Sequence, residues 1–179
     1  MAADRPSRTG AVRTDARRLL DGSITTEQRV GLRAPAVPVS KAGALALHRA
    51  YWAEVEGLLH GLVRVREHEA GIDIRLLAGG PALIRLGARR VTIGRERVTC
   101  RYPILGGLLA RIPAGALTLE QVGGPAAELR SSVAGFHPRL AARPGFPPWT
   151  GVLYPRVQAR LHDAVGRRFL ARLAGGAPS

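Results

Sequence analysis

Cysteine is almost absent from this sequence, since Cys100 is the one thiol among 179 residues. An internal disulfide is therefore excluded, and a lone thiol in an alternating apolar segment is typical of a buried side chain. Lysine is equally scarce, with Lys41 against 26 arginines, and aromatic residues make up 4% of the chain. A chain that does not rely on disulfides favours a cytoplasmic location.

Long apolar runs are also lacking. A membrane-spanning helix needs about 18 consecutive apolar residues, and arginine, glycine or proline interrupts every apolar stretch here. The segment Arg17-Arg18-Leu19-Leu20 resembles the start of a twin-arginine export signal, but Asp21-Gly22-Ser23 follows where the apolar part of such a signal would begin. We therefore expect neither a membrane span nor export.

Patterns that indicate metal or cofactor chemistry are missing. The histidines show no metal-ligand spacing with cysteines or carboxylates: His48, His60, His68, His137 and His162. In Glu67-His68-Glu69 a strand would turn His68 away from both carboxylates, which indicates a solvated strand end. A phosphate-binding loop, a dinucleotide fingerprint and a nucleophile elbow are absent as well. The sequence predicts no cofactor and no metal.

Positive charge is abundant, with a formal net charge of +14. The surplus of basic over acidic residues is 3 in residues 1–33, 4 in residues 34–100, 3 in residues 101–150 and 4 in residues 151–179. A basic nucleic-acid footprint is usually clustered on one face or stripe. The even spread, together with few aromatic residues to stack on bases, predicts weak and non-specific nucleic-acid binding at most.

The chain divides into an N-terminal segment without periodicity and one folded domain. Residues 1–40 are rich in Arg, Ala, Pro, Gly, Ser and Thr without a sustained apolar period, so we expect a flexible basic tail. Residues 41–175 carry regular apolar patterns and are predicted to form the domain. Residues 176–179 are expected to be a disordered end.

Within the domain, helical and strand periodicities succeed each other. Apolar residues recur every three to four positions from Ala42 to His60, which predicts a first helix with Ser40 as its N-cap. A period of two then predicts about six antiparallel strands, interrupted at Pro103–Pro113. A closing helix is expected from about Val152 to Ala174. Its apolar stripe should face the sheet and consists of Val157, Leu161, Val165 and Phe169.

The predicted fold class is thus α+β: a curved antiparallel sheet with a first helix and a long C-terminal helix packed on it. This order resembles the START-like helix-grip (SRPBCC) superfamily. The chain also resembles uncharacterised bacterial proteins grouped with that superfamily, over roughly residues 43–174. The matching segments are Arg101-Tyr102-Pro103-Ile104-Leu105-Gly106-Gly107-Leu108-Leu109-Ala110, Gly135-Phe136-His137-Pro138-Arg139, Leu153-Tyr154 and Arg168-Phe169-Leu170.

The resemblance implies a cavity between the curved sheet and the closing helix. It also implies a strand before the first helix, which would have to come from the poorly patterned residues around Gln28 to Val39. A closed lipocalin-like barrel is the alternative fold.

Five residues are candidates for contact with a ligand. Tyr102 shares the inward face of a strand with Val98 and Cys100, and a buried tyrosine hydroxyl needs a partner. The others are His137 at a strand end, Trp149 and Tyr154 at the entry to the closing helix, and Glu67 as an acid–base group. Each also has a purely structural interpretation, as a core, loop or helix-anchoring residue.

Three functions remain open at this stage. The first is a binding module for a hydrophobic or amphipathic small molecule in the sheet and helix cavity. The second is an enzyme of the cyclase or dehydratase type on the same fold, with His137, Tyr102 or Glu67 as acid–base groups. The third is a low-specificity binder of anionic partners through its arginines. The oligomeric state is left open by the sequence.

Overall fold

The computed structural model describes residues 10–139 and 163–175 of the chain. The strands are β1 (Arg13–Arg18), β2 (Ile24–Gly31), β3 (Val63–His68), β4 (Gly71–Leu76), β5 (Ala82–Gly87), β6 (Arg90–Ile93), β7 (Arg97–Gly106), β8 (Ala116–Val122) and β9 (Glu128–Phe136). Helix α1 (Lys41–Leu58) lies between β2 and β3. Residues 163–173 form helix α2.

The strands form one curved antiparallel sheet in the order β1-β2-β9-β8-β7-β5-β4-β3, with β6 paired to β7 beside this path. Both helices contribute buried residues to the core on one side of the sheet, among them Leu47 of α1 and Phe169 of α2. The α+β fold class is therefore confirmed. The sheet is larger than the predicted six or so strands, since nine are present in the described residues.

The expectation of a flexible tail over residues 1–40 is corrected by β1 and β2, because β2 pairs with β9 over Ile24–Gly31 and β1 pairs with β2. The inward side chains of β2 are Ile24, Thr26, Gln28 and Val30, so two polar residues occupy the apolar positions of a period-two pattern. That composition hides the strand from hydrophobic periodicity. β2 supplies the strand before the first helix that the resemblance implies.

Helix α1 agrees closely with its prediction. Ser40 is its N-cap, and the Ser40 hydroxyl accepts a hydrogen bond from the backbone N–H of Gly43 at 3.2 Å. The residues that repeat every three to four positions are buried against the sheet: Ala44, Leu47, His48, Tyr51, Trp52 and Val55. His48 is one of the buried polar residues of the described core, and Tyr51 and Trp52 belong to its hydrophobic cluster.

Helix α2 presents the described part of its predicted stripe to the core. Val165 and Phe169 are buried, while the Arg167 side chain is about half exposed. This matches the expected orientation of the helix. The first two members of the stripe, Val157 and Leu161, lie outside the described residues.

Candidate functional site

A cavity of about 180 Å³ lies between the concave face of the sheet and the two helices. Its described lining comes from α1, from α2 and from seven of the strands or the loops next to them. Pro138, two residues after the end of β9, also belongs to it. These residues are Ile24, Thr26, Tyr51, Trp52, Val55, Leu59, Val63, Ile74, Leu83, Ile84, Leu86, Ile104, Leu109, Leu117, Val133, Phe136, Pro138 and Val165. The cavity thus lies between the sheet layer and the helix layer of the fold.

The lining is apolar almost throughout. It contains no charged residue among those described, and Thr26 is its one aliphatic polar side chain. An unpaired charge would be strongly disfavoured in such surroundings, because nothing there replaces its hydration. The cavity therefore has the chemistry to hold an apolar molecule.

Two aromatic side chains of α1, Tyr51 and Trp52, form part of the cavity wall on the side of the helices. Tyr51 and Trp52 meet edge to face with ring centroids 5.0 Å apart, and Tyr51 meets Phe169 of α2 in the same way at 5.4 Å. Edge-to-face contacts at these distances are favourable and fix ring orientation. This cluster holds α1 and α2 together beside the cavity.

Helix α2 is also fixed to the sheet by Gln28, an inward-facing residue of β2. The Gln28 side-chain amide donates to the Oδ1 of Asp163 at 2.7 Å and to the Asp163 carbonyl at 3.0 Å. Directly beside this contact lies Gly166, where a Cβ atom would overlap the Gln28 side-chain carbonyl. The helix can approach the sheet this closely because residue 166 has no side chain.

A second polar contact joins α2 to α1. The Glu54 carboxylate, which is 9% exposed, accepts hydrogen bonds from Arg168 at 3.1 Å and from Arg172 at 2.9 Å. Both arginines remain partly exposed, so the pairing costs less desolvation than a fully buried ion pair. Together with Gln28, Glu54 sets the position of the helix that carries Val165 into the cavity wall.

A chain of three hydrogen-bonded side chains lies behind Trp52. The His48 Nδ1 is 2.8 Å from the Tyr102 hydroxyl, and the His48 Nε2 is 2.8 Å from a Glu67 carboxylate oxygen. Tyr102 and His48 are buried, whereas the Glu67 side chain is largely exposed. The chain therefore runs from the core to the protein surface across α1, β3 and β7.

The surroundings of this chain favour a neutral imidazole. Burial lowers the pKa of His48, and the charges of Arg89 and Arg49 act in the same direction, while the Glu67 carboxylate opposes them. Burial raises the pKa of Tyr102, so its hydroxyl keeps its proton. With His48 neutral, Tyr102 donates to Nδ1 and the Nε2–H donates to Glu67, which satisfies both ring nitrogens.

The structure brings together two of the five predicted site residues. Tyr102 and Glu67 meet through His48, but neither belongs to the described lining of the cavity. His137 lies 3.9 Å from the Asp21 carboxylate, beside the cavity-lining Phe136 and Pro138 rather than within the lining. Trp149 and Tyr154 lie outside the described residues.

Sequence reasoning did not single out His48, Tyr51 or Trp52. The available signal was a histidine within the apolar stripe of α1, one helical turn from Trp52. A histidine at such a position requires partners for both ring nitrogens once it is buried. The partners themselves were not identifiable, because Glu67 and Tyr102 are 19 and 54 residues away along the chain.

Neither metal ligands nor membrane helices are found in the parts of the chain that the structure describes. Within residues 10–139 and 163–175, no three His, Cys, Asp or Glu side chains are grouped so that they could hold a metal ion. Over the same residues, no helix is long and apolar enough to cross a membrane.

No protein-family model and no curated protein matches this sequence. Among solved structures, the chain is similar to Ara h 8.0201, with 15% identity, a TM-score of 0.37, and coverage of 90% of this chain and 99% of that chain. It is also similar to a norcoclaurine synthase point mutant from Thalictrum flavum in complex with a transition-state analogue, with 14% identity, a TM-score of 0.41, and coverage of 90% and 98%. At these values the likenesses say nothing about the ligand or activity of this chain.

Proposed function

We propose that this protein binds a small hydrophobic molecule in the cavity between its sheet and its helices. The observation that carries the proposal is an apolar cavity of about 180 Å³ whose described lining has no charged side chain. Well-packed interiors contain few voids larger than a water molecule, so a cavity of this size is a departure from ordinary core packing. Apolar cavities of comparable volume take up small apolar ligands.

The volume limits the ligand. An apolar cavity of roughly 150 Å³ accommodates benzene, so the present cavity suits one aromatic ring or a small fused pair. Among the described lining residues, Thr26 offers the aliphatic hydroxyl at which an amphipathic ligand could place its polar group, since burial of an unpaired polar group is costly.

We also propose that the chain belongs to the START-like helix-grip superfamily. Support comes from the order of its elements, with strands before α1, a continuous antiparallel sheet after it, and α2 on the same side as α1. The strand that the superfamily requires before the first helix is present as β2. Fold alone does not determine the ligand, which is why the binding proposal depends on the cavity.

A catalytic role is not assigned to the chain of Glu67, His48 and Tyr102. A catalytic acid or base must come within hydrogen-bond reach of the substrate. Tyr102 is fully buried, and none of the three residues belongs to the described cavity lining. The three side chains satisfy one another, which is the arrangement expected of a buried polar contact that orients α1.

Nucleic-acid binding is expected to stay weak and non-specific. On the outer face of the sheet, several arginines are already paired with acids: Arg29 with Asp15, Arg97 with Glu120, and Arg130 with Glu128. Paired arginines have less charge available to neutralise phosphates, which supports weak binding at these positions.

Ligand binding can be tested with indole as the probe and the unfolding temperature as the readout. A ligand that binds only the folded state raises stability as its concentration rises. We expect indole to raise the unfolding temperature of the wild type and of Val91→Phe, which enlarges an exposed side chain on β6. Val133→Phe enlarges a cavity-lining side chain and should abolish the shift. An equal shift in a folded Val133→Phe variant would contradict the proposal.

A further inference from the structure

One end of the sheet collects the connections β1–β2, α1–β3, β4–β5 and β7–β8, together with the residues that follow β9. The antiparallel strand order requires this, because β1, β4, β7 and β9 end where β2, β3, β5 and β8 begin. We call this the loop end: residues 19–23, 59–62, 77–81, 107–115 and 137–139, with the two strand residues adjoining each. The connections of the opposite end are residues 32–40, 69–70, 94–96 and 123–127, while residues 88–89 join β5 to β6 along the edge of β7.

Hydrogen bonds join the loop end into a continuous surface. The backbone N–H of Leu77 donates to the Leu62 carbonyl at 2.8 Å, and that of Leu108 donates to the Ala82 carbonyl at 3.0 Å. The N–H of Arg111 donates to the His137 carbonyl at 2.7 Å. His137 in turn faces Asp21 of the β1–β2 connection. The loops are therefore held together rather than projecting independently.

The exposed large hydrophobic side chains of the described residues concentrate at this end. Eight of ten belong to it: Leu19, Leu20, Leu62, Leu76, Leu77, Leu105, Leu108 and Ile112. Leu20 is completely exposed at the tip of the β1–β2 connection. The remaining two, Val91 and Ile93, are on β6 and adjoin the connections at residues 88–89 and 94–96. Exposed apolar side chains that collect at one end of a protein, rather than scattering singly over its surface, are typical of an interaction site.

The charge of the loop end is strongly positive. Its described residues include six arginines, Arg17, Arg18, Arg64, Arg75, Arg111 and Arg139, and one acidic residue, Asp21. Arg17, Arg18, Arg64 and Arg111 are exposed. Asp73, just outside the loop end, pairs with Arg75 at 3.2 Å, and the other five arginines still give this end a surplus of positive charge.

We propose that the loop end docks onto the surface of an anionic lipid bilayer. The leucines are on separate loop tips with arginines between them, which suits insertion of short apolar side chains at the boundary of headgroups and acyl chains while guanidinium groups contact lipid phosphates. A protein partner would be expected to bury a flatter and more continuous apolar centre. The proposal stands independently of the small-molecule cavity.

Co-sedimentation of the full chain with lipid vesicles tests the proposal. We expect binding to vesicles of equimolar phosphatidylcholine and phosphatidylglycerol, and much weaker binding to phosphatidylcholine alone. The double variant Leu20→Ser/Leu108→Ser should lower partitioning onto the anionic vesicles by about tenfold, because two apolar insertions are lost. The matched control is Val91→Ser/Ile93→Ser, which removes the two exposed apolar residues of β6 and should bind as the wild type does.

A second pair of variants tests the charge. Arg17→Gln/Arg18→Gln should weaken binding to the anionic vesicles by about tenfold or more, since each arginine near such a surface contributes about 1 kcal/mol. Arg90→Gln/Arg95→Gln removes two exposed arginines elsewhere and should have a smaller effect. Equal binding to both vesicle types, or equal losses in the test and control variants, would overturn the proposal. Absence of vesicle binding by the folded wild type would overturn it too, and would favour an acidic protein partner.

Discussion

The Nδ1 atom of His48 and the hydroxyl of Tyr102 lie 2.8 Å apart in the core, and the contact joins α1 to the centre of the sheet. Because burial lowers the pKa of His48, the neutral Nδ1 accepts a hydrogen bond from the Tyr102 hydroxyl, which keeps its proton. Protonation of His48 would place an N–H against the hydroxyl and leave Tyr102 in need of a different acceptor. The stability of the fold should consequently depend on the protonation state of His48.

We predict that the free energy of unfolding decreases as the pH falls below about 6.5, the ordinary pKa of histidine. Above that pH, His48 is neutral in both states. Below it, the unfolded chain takes up the proton before the folded chain does, because the folded-state pKa is lowered, and stability falls until the folded state is protonated as well. Denaturant unfolding from pH 8 to pH 5 would measure this. His48→Gln should reduce the pH dependence, and an unchanged dependence would exclude His48 as its source.

Glu67, an exposed residue of β3, should raise the pKa of His48. The carboxylate is 2.8 Å from Nε2 and is the largest influence that opposes burial. Glu67→Gln keeps a hydrogen-bond acceptor but removes the charge, so the pKa of His48 should fall further. Titration of the imidazole by NMR in both proteins would show the change. As a control, Glu69→Gln alters a neighbouring exposed carboxylate and should leave the pKa of His48 unchanged. A higher pKa of His48 in the Glu67→Gln variant would contradict this account.

Gly166 should tolerate no side chain at the contact of α2 with β2. Alanine there would press on the Gln28 side chain, which is fully buried and held by two hydrogen bonds to Asp163. We predict that Gly166→Ala lowers the free energy of unfolding by about 1–3 kcal/mol. Gly57→Ala, at a helical position of α1 with open space around it, should leave stability unchanged or raise it by up to about 1 kcal/mol. Denaturant titration would compare the two, and equal effects would show that α2 is not held at this contact.

The sequence predicted those helices and strands whose apolar residues recur at a regular helical or strand spacing. Helix α1 was predicted to within two residues at each end, because its apolar residues recur every three to four positions and Ser40 caps it. β2 was missed because the polar residues Thr26 and Gln28 occupy inward positions. The Gln28 side chain forms a hydrogen bond with Asp163 of α2 instead of packing in an apolar core. Local periodicity cannot detect a polar strand residue whose partner is more than a hundred positions away.

The candidate site was predictable only in part, for a different reason. Tyr102 could be placed on an inward face, but its partner His48 is on another element, and their contact depends on how α1 lies across the sheet. The cavity depends in the same way on the spacing between layers, which Gln28, Gly166 and Glu54 set through α2. Spacing of that kind is a property of tertiary packing and leaves no periodic trace in the sequence.

The most direct test of the proposed binding site is a crystal structure of the protein soaked with iodobenzene, in which the iodine is located by its anomalous scattering. The ligand has the size and apolar character that the cavity of about 180 Å³ accommodates. We predict an anomalous peak between the sheet and the two helices, in contact with Trp52, Ile104 and Val165. Iodine peaks confined to the exposed leucines of the loop end, with the cavity empty of ligand, would contradict the account.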